Sequence, residues 1–284
     1  MQMNLVEVIR KVSPAVVALG TRLYPSQADA APGFPRIIGT GFIVDERGIV
    51  LTNQHVIQAI EKEPASARFV MVFPTPKAVD RGTVGGVILR KILAVNTISS
   101  FESSGPFFGE AKPDFAFVQI DMQGLPMLDI LGDSNTLEMG LEVATLGFPK
   151  GEVPLTPYDH GKASQFSPFA RHGIISSVLP CACPDPHGFS IDILSEGGAS
   201  GSPIFRTDDP RAVGILHASY DGAPITYGVP GHFLETGLKR VREAWNPDLS
   251  RVPTLAQVIE QETPEEPKGF DWTVMKIPGQ LPHP

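Results

Sequence analysis

Cysteine is almost absent from this sequence: only Cys181 and Cys183 occur among its 284 residues. With a single residue between them, the two are awkward partners for an unstrained disulfide. The stability of the fold must therefore come from packing. That is consistent with a reducing compartment, where disulfides are rare.

Long apolar runs and an excess of basic residues are missing as well. No stretch is long and apolar enough for a transmembrane helix. Residues 1–11 lack the continuous apolar core and small-residue cleavage site of a secretory signal, so we expect a cytoplasmic location. Lys and Arg total 23 against 31 Asp and Glu, a formal net charge of −8. This balance argues against nucleic acid or an anionic membrane as a partner, because both need basic patches.

Glycine and proline, by contrast, are abundant, with 28 of each. Such a composition favours many short strands joined by turns over long helices. Asn4 and Glu7 have the spacing of a capping box, which predicts a short N-terminal helix that Pro14 ends. Helical spacing of apolar residues from Phe233 to Val241 predicts a second helix near the C-terminus.

The most informative motif is Glu-Gly-Gly-Ala-Ser-Gly-Ser-Pro at residues 196–203. Acyl transfer by a serine needs an exposed hydroxyl and, beside it, backbone N–H groups aimed at a developing oxyanion. Gly198 allows the backbone to turn so that its own N–H and that of Ser200 converge. The general nucleophile-elbow pattern fits poorly, because Ser202 stands where it requires a second glycine.

Two further segments supply the partners that such a serine needs. Strands at 39–44 and 49–52, joined by a tight turn, are predicted to deliver His55 to the start of a helical pattern. Asp114 stands at the mouth of an apolar strand. A base, an orienting carboxylate and a nucleophile therefore occur in the order His55, Asp114, Ser200, which is one of the known chain orders of the serine triad.

At these residues the chain resembles bacterial trypsin-like serine proteases, in particular the protease domain of the high-temperature-requirement family. The matching blocks, in order, are Gly-Thr-Gly-Phe-Ile at 39–43 with Leu-Thr-Asn-Gln-His-Val at 51–56, Asp-Phe-Ala at 114–116, Leu-Gly-Asp-Ser at 131–134 with Gly140 and Gly-Phe-Pro at 147–149, and Gly-Ala-Ser-Gly-Ser-Pro at 198–203 with Val-Gly-Ile at 213–215. The resemblance covers about residues 12–230.

The resemblance implies an all-β fold of two antiparallel six-stranded β-barrels of chymotrypsin type, with short N- and C-terminal helices. Residues 1–14 would form the N-terminal helix, and 15–130 the first barrel with His55 and Asp114. Residues 131–232 would form the second barrel with Ser200, and 233–284 a C-terminal helix and a proline-rich tail. That tail is too short for the PDZ domain that many members of the family carry.

The implied activity is that of a serine endopeptidase acting on polypeptides without a cofactor. Ser200 would be the nucleophile, His55 the general base and Asp114 the residue that orients His55. The N–H groups of Gly198 and Ser200 would form the oxyanion hole.

Substrate preference depends on two further positions. By alignment with the family, Leu194 lies at the base of the primary substrate pocket, and an apolar residue there disfavours Lys or Arg. Glutamyl endopeptidases use a histidine two residues after a strand glycine. His217 lies three residues after Gly214, which should turn it the other way. We expect cleavage after small or medium aliphatic residues, with a glutamate-specific endopeptidase as the alternative.

Other classes of function remain as alternatives. An inactive, peptide-binding protease homologue is one, although the intact triad tells against it. A non-peptidase hydrolase such as an esterase is another, and the chain order of the triad tells against that fold. Cys181, Cys183 and His187 are possible zinc ligands, but a closed zinc site needs four. We therefore expect an ordinary loop there and no metal.

Overall fold

A computed structural model describes residues 3–21, 36–73, 77–79, 82–84, 88–99, 112–133, 137–149, 168–180, 185–219 and 225–262. The strands are β1 (Val16–Thr21), β2 (Arg36–Asp45), β3 (Ile49–Thr52), β4 (Arg68–Val72), β5 (Lys77–Val79), β6 (Gly82–Val84), β7 (Ile88–Thr97), β8 (Ala116–Ile120), β9 (Glu142–Gly147), β10 (Phe169–Leu179), β11 (Gly188–Ile191), β12 (Pro203–Arg206), β13 (Asp209–Ser219) and β14 (Thr226–Pro230). The α-helices are α1 (Leu5–Val12), α2 (Gln54–Ile60), α3 (Gly231–Ala244) and α4 (Leu255–Glu262), and short 3-10 turns occupy Ser13–Ala15 and Ala65–Ala67.

The strands close into two antiparallel barrels of six strands each. The first barrel has the order β1-β2-β3-β8-β7-β4 and the second β10-β11-β14-β13-β12-β9, while β5 and β6 form a separate two-stranded sheet. The all-β fold of two six-stranded barrels that the resemblance implies is thus confirmed. No helix in the described part of the chain is both long and apolar enough to cross a membrane.

The β2–β3 hairpin shows why this sequence forms strands here. Phe42 pairs with Leu51 and Ile43 with Val50, and all four side chains are buried. The turn between the strands requires Gly48, because its φ is +91° and a Cβ there would lie 2.2 Å from the carbonyl oxygen of Met122. A tight, glycine-dependent turn therefore fixes the register of the strand that leads to His55.

The terminal helices join the barrels to each other. The α1 helix begins with the predicted capping box, in which Asn4 Oδ1 accepts from the Glu7 N–H while Glu7 accepts from the Asn4 N–H. It packs against β13 of the second barrel. The α3 helix follows the second barrel but is bound to the first, since Arg242 donates to Asp45 Oδ2 at 2.8 Å and to the Val44 carbonyl at 3.0 Å. Each of these helices thus contacts the barrel that lies farther from it in the sequence.

A short helix, α4, forms within residues 233–284, the segment for which a C-terminal helix and a proline-rich tail are predicted. Thr254 lies at its start, and Gln123 contacts the same turn through a backbone hydrogen bond from the Leu255 N–H. Residues 263–284 of the predicted tail lie outside the described residues.

Candidate active site

The first half of the site is formed where β3 ends and α2 begins. Asn53 has extended backbone angles, φ −86° and ψ 152°, and is the residue immediately before the helix. Its buried side-chain amide donates to the Asp114 carbonyl oxygen at 2.7 Å. This hydrogen bond holds the start of α2, and with it His55, against the residues that lead into β8.

His55 and Asp114 are joined by two hydrogen bonds. His55 Nδ1 lies 2.5 Å from Asp114 Oδ2, and the His55 backbone N–H donates to Asp114 Oδ1 at 3.2 Å. The Asp114 side chain is 11% exposed and that of His55 46%. The carboxylate is therefore shielded while the imidazole reaches solvent, as a general base must if it is to exchange a proton with a substrate.

The electrostatics of Asp114 favour its ionised form. Burial alone would raise the pKa of the Asp114 carboxyl, but the hydrogen bonds and charge of His55 oppose that effect, and the charge of His217 adds to the opposition. The net result is a pKa below the ordinary value for aspartate. Near neutral pH the carboxylate is therefore available to hold the imidazole in one tautomer and to stabilise its protonated form.

The second half of the site is the turn that carries Ser200. Its three carbonyl groups all accept hydrogen bonds: Gly198 O from Thr40 Oγ1 at 2.8 Å, Ala199 O from the N–H and the hydroxyl of Ser202 at 3.0 and 2.6 Å, and Ser200 O from the Thr40 N–H at 2.8 Å. Among the described residues, the N–H groups of Gly198 and Ser200 meet no acceptor. They are the two donors predicted for the oxyanion hole.

Glycine is required in this turn for two reasons. Gly198 has φ +92° and Gly201 φ +91°, the left-handed region that side chains with a Cβ avoid. A Cβ on Gly201 would also lie 1.9 Å from the Thr40 carbonyl oxygen. The turn can therefore pack closely against β2 only with glycine at this place.

The predicted triad is assembled in part. The structure bonds His55 to Asp114 and docks the Ser200 turn on β2 of the first barrel through Thr40. Within the described ranges no hydrogen bond joins His55 Nε2 to Ser200 Oγ. Such a bond is often long in a substrate-free protease and shortens only when substrate is bound.

Of the two predicted pocket residues, Leu194 lines a small cavity and His217 lies near Asp114. Leu194 is 46% exposed, and its carbonyl accepts from the Arg171 guanidinium. The cavity that Leu194 lines, together with Ala199 and Leu216, measures about 10 Å³, close to the lower limit for a single water molecule. His217 is near enough to Asp114 for its charge to lower the pKa of that carboxyl.

Asn53 was not predicted as a site residue from the sequence, and Thr40 and Ser202 were recognised there only as parts of motifs. Their partners lie 61, 158 and 3 residues away along the chain. The motifs at 39–43 and 198–203 could nevertheless have pointed to Thr40 and Ser202, because each motif contains a hydroxyl residue next to glycine. Of the proposed zinc ligands, Cys181 and Cys183 lie outside the described residues, and no metal-binding group of three His, Cys, Asp or Glu side chains occurs within them.

Comparison with known proteins defines the class. The profile of the family described as "Trypsin-like peptidase domain" matches residues 39–215, which include His55, Asp114 and Ser200. The chain belongs to this family, and the resemblance stated from the motifs is confirmed. The expected enzyme class, a serine protease, agrees with it.

Individual relatives carry one common name. The chain is 28% identical over 184 residues to a probable periplasmic serine endoprotease DegP-like from Halomonas elongata, covering 63% of this chain and 29% of that protein. It is 23% identical over 238 residues to a protein of the same name from Rickettsia conorii, covering 80% of this chain and 38% of that one. The chain thus spans well under half the length of these curated relatives.

The expected cytoplasmic location is wrong by this comparison. The relatives are named periplasmic serine endoproteases. The expectation rested on the composition of residues 1–11 and on the scarcity of cysteine. Neither is a positive sign of the cytoplasm, because a fold stabilised by packing alone is equally stable in an oxidising compartment.

Proposed function

We propose that this chain is a serine endopeptidase that cleaves polypeptides through an acyl-enzyme intermediate. The observation that carries the proposal is the pairing of His55 with Asp114 at 2.5 Å, together with a serine turn in which the N–H groups of Gly198 and Ser200 meet no acceptor among the described residues. A general base held by a shielded carboxylate, with two donors beside a serine, is the arrangement that acyl transfer requires.

The chemistry follows from these groups. Ser200 Oγ attacks the peptide carbonyl carbon while His55 Nε2 takes its proton, and the N–H groups of Gly198 and Ser200 stabilise the negative oxygen of the tetrahedral intermediate. His55 then gives the proton to the leaving amine, which leaves an ester on Ser200. Water, activated by His55 in the same way, hydrolyses that ester. Asp114 stays ionised throughout and stabilises the imidazolium.

For the primary substrate residue we propose a small or medium aliphatic side chain. Leu194 is apolar, and the apolar residues Ile193, Ala199 and Leu216 line the neighbouring cavity with it, which supports this preference. Thr145, Arg171 and Ser195 line the same cavity. The cavity is small, so the pocket must open when substrate binds. From the names of the relatives we also propose that the chain acts in the periplasm.

The test is a set of single substitutions assayed on unfolded casein and on a valine-containing peptide substrate. Ser200→Ala, His55→Ala and Asp114→Asn should each lower kcat by roughly 10⁴- to 10⁶-fold, because a triad acts as one unit. Combining two of them should cost little more than one alone. His172→Ala and Ser250→Ala, at exposed positions, are the matched controls and should keep wild-type activity.

A fluorophosphonate probe identifies the nucleophile directly. It should label the wild-type protein and both control variants but not Ser200→Ala. Full peptidase activity in Ser200→Ala would overturn the proposal and direct attention to Ser202. A folded wild-type protein that neither reacts with the probe nor cleaves casein would instead favour the inactive peptide-binding homologue.

A further inference from the structure

We propose that two buried hydroxyl groups, those of Thr40 and Ser202, hold the oxyanion hole in its active conformation. They are positioning residues, because they act through the backbone of the Ser200 turn and do not touch the substrate. The inference rests on the proposed function, since it assigns them a role in the same acyl-transfer site.

The argument for Ser202 begins with the planarity of the peptide bond. In a trans peptide the C=O and N–H groups point in opposite directions. The Ala199 carbonyl accepts from both the N–H and the hydroxyl of Ser202, at 3.0 and 2.6 Å. Because that carbonyl is held inward, the N–H of Ser200 in the same peptide must point outward, toward the place where the oxyanion forms.

Thr40 fixes the rest of the turn from the first barrel. Its hydroxyl donates to the Gly198 carbonyl at 2.8 Å and accepts from the Phe148 N–H at 3.0 Å. Its own N–H donates to Ser200 O at 2.8 Å, and its carbonyl accepts from Thr52 Oγ1 at 2.7 Å. Thr40 is fully buried. Every polar atom of this residue is therefore engaged, and its hydroxyl has a single orientation.

The chain is also shaped to accommodate the Ser202 side chain. Ser202 is 1% exposed. A Cβ on Gly147, in the neighbouring strand β9, would lie 1.9 Å from Ser202 Oγ. The hydroxyl thus occupies a space that only glycine at 147 leaves open. This accounts for the serine at a place where the general nucleophile-elbow pattern has glycine.

Together the hydroxyls of Thr40 and Ser202 bind two carbonyl groups of the Ser200 turn on the side that faces the protein. The Ala199 carbonyl lies in the same peptide as the Ser200 N–H, so its bonds to Ser202 orient that donor directly. The Gly198 carbonyl lies in the same peptide as the Ala199 N–H, which itself donates to the Glu196 carbonyl at 3.1 Å, so Thr40 holds the peptide that lies between the two predicted donors, Gly198 N–H and Ser200 N–H. Loss of the Ser202 hydroxyl weakens the hold on the peptide that carries the Ser200 N–H. Loss of the Thr40 hydroxyl frees the neighbouring peptide, whose rotation changes the backbone angles of Gly198 and Ala199 and so displaces the donors on either side of it. Such a change affects the transition state more than the ground state, because the negative oxygen exists only after the serine attacks.

The test compares Thr40→Val and Ser202→Ala with the wild-type protein on the valine peptide substrate. Thr40→Val keeps the shape of the side chain and removes two hydrogen bonds, so kcat should fall about 10- to 100-fold with little change in KM. Ser202→Ala should lower kcat by about 2- to 12-fold, because the Ser202 N–H still holds the Ala199 carbonyl. Thr40→Ser, which keeps the hydroxyl, should restore most of the activity.

A second measurement separates positioning from a general loss of stability. The affinity for a valine peptide boronic acid, which forms a tetrahedral adduct with the serine, should fall in the same proportion as kcat/KM in each variant. The acid limb of the pH–rate profile should not move, because His55 and Asp114 are untouched. Ser190→Ala removes another buried hydroxyl of the second barrel, bonded to Ser177 Oγ at 3.1 Å, and should leave both measurements unchanged.

The outcomes distinguish this inference from the proposed function. If Ser200→Ala is inactive while Thr40→Val and Ser202→Ala retain wild-type kcat and boronate affinity, the hydroxyls have no positioning role and the triad assignment stands. If Ser200→Ala retains activity, the proposed function itself fails. A rise in KM with unchanged kcat would also overturn the inference. Should Thr40→Val fail to fold, Ser202→Ala decides by the same two measurements.

Discussion

The contact between α3 and the first barrel predicts how stability depends on pH. The Asp45 carboxylate is 7% exposed and accepts hydrogen bonds from Arg47, at 2.9 and 3.0 Å, and from Arg242 at 2.8 Å. Burial by itself would raise the pKa of Asp45, but the hydrogen bonds from Arg47 and Arg242 outweigh it and lower the pKa from 3.8 to about 2. This difference is equivalent to about 2 kcal/mol of folding free energy.

The sign follows from the direction of the shift. Because the folded protein holds Asp45 ionised more strongly than the unfolded chain does, the contribution is complete above about pH 4 and is lost as the pH falls toward about 2. Asp45→Asn should therefore lower the free energy of unfolding near neutral pH by about 2 kcal/mol. The gap between variant and wild type should close as the carboxyl of the wild type becomes protonated.

Urea denaturation at a series of pH values measures this gap. The matched control is Asp208→Asn, whose carboxylate meets Arg206 at 2.8 Å but is 25% exposed. Because the Arg206–Asp208 ion pair is so open to solvent, its removal should lower the free energy of unfolding by about 1 kcal/mol or less. The reasoning would be refuted if Asp45→Asn and the wild type had equal free energies of unfolding near neutral pH. It would also be refuted if the difference between them persisted unchanged below about pH 2.

Two further predictions concern the site. Gly147→Ala should displace the Ser202 hydroxyl and lower kcat. Adding Ser202→Gly should restore part of the lost activity, because it removes the clash between the new Cβ and Ser202 Oγ. Equal activity of the single and double variants would contradict this prediction. The apolar side chain of Leu194 predicts faster cleavage after Val than after Arg or Glu on matched peptides, within a range of roughly 10- to 200-fold. Arg as the preferred residue would refute the aliphatic preference, and Glu, with the preference lost in His217→Ala, would favour the glutamyl alternative.

The parts of the fold that could be predicted were those with short-range signals. The β2–β3 hairpin, the turn at Gly48 and the strand after Asp114 each follow from residues close together in the sequence. The start of α2 was predicted one residue late, at His55 instead of Gln54. The extended residue before the helix is Asn53, whose side chain bonds to Asp114 and offers no local capping pattern.

The parts that could not be predicted depend on contacts between distant segments. The bond from Thr40 to Gly198 spans 158 residues, and nothing near Thr40 indicates it. Ser202 was interpreted only as a misfit to a glycine pattern, because its space is provided by Gly147 on another strand. The exposure of Leu194 likewise depends on how the segment after β11 runs, which an alignment position does not specify.

Each terminal helix contacts the barrel that lies farther from it in the sequence, and this affects how the two barrels are held together. The α1 helix precedes the first barrel and packs on the second, while α3 follows the second barrel and is bound through Arg242 to the first. The α3 helix also packs on β13 and β14 of the second barrel, so it contacts both barrels and ties them together across their boundary. His55 and Asp114 lie on one side of that boundary and Ser200 on the other. The contacts of the terminal helices therefore help to set the position of one barrel relative to the other, and with it the distance between the proposed base and the proposed nucleophile.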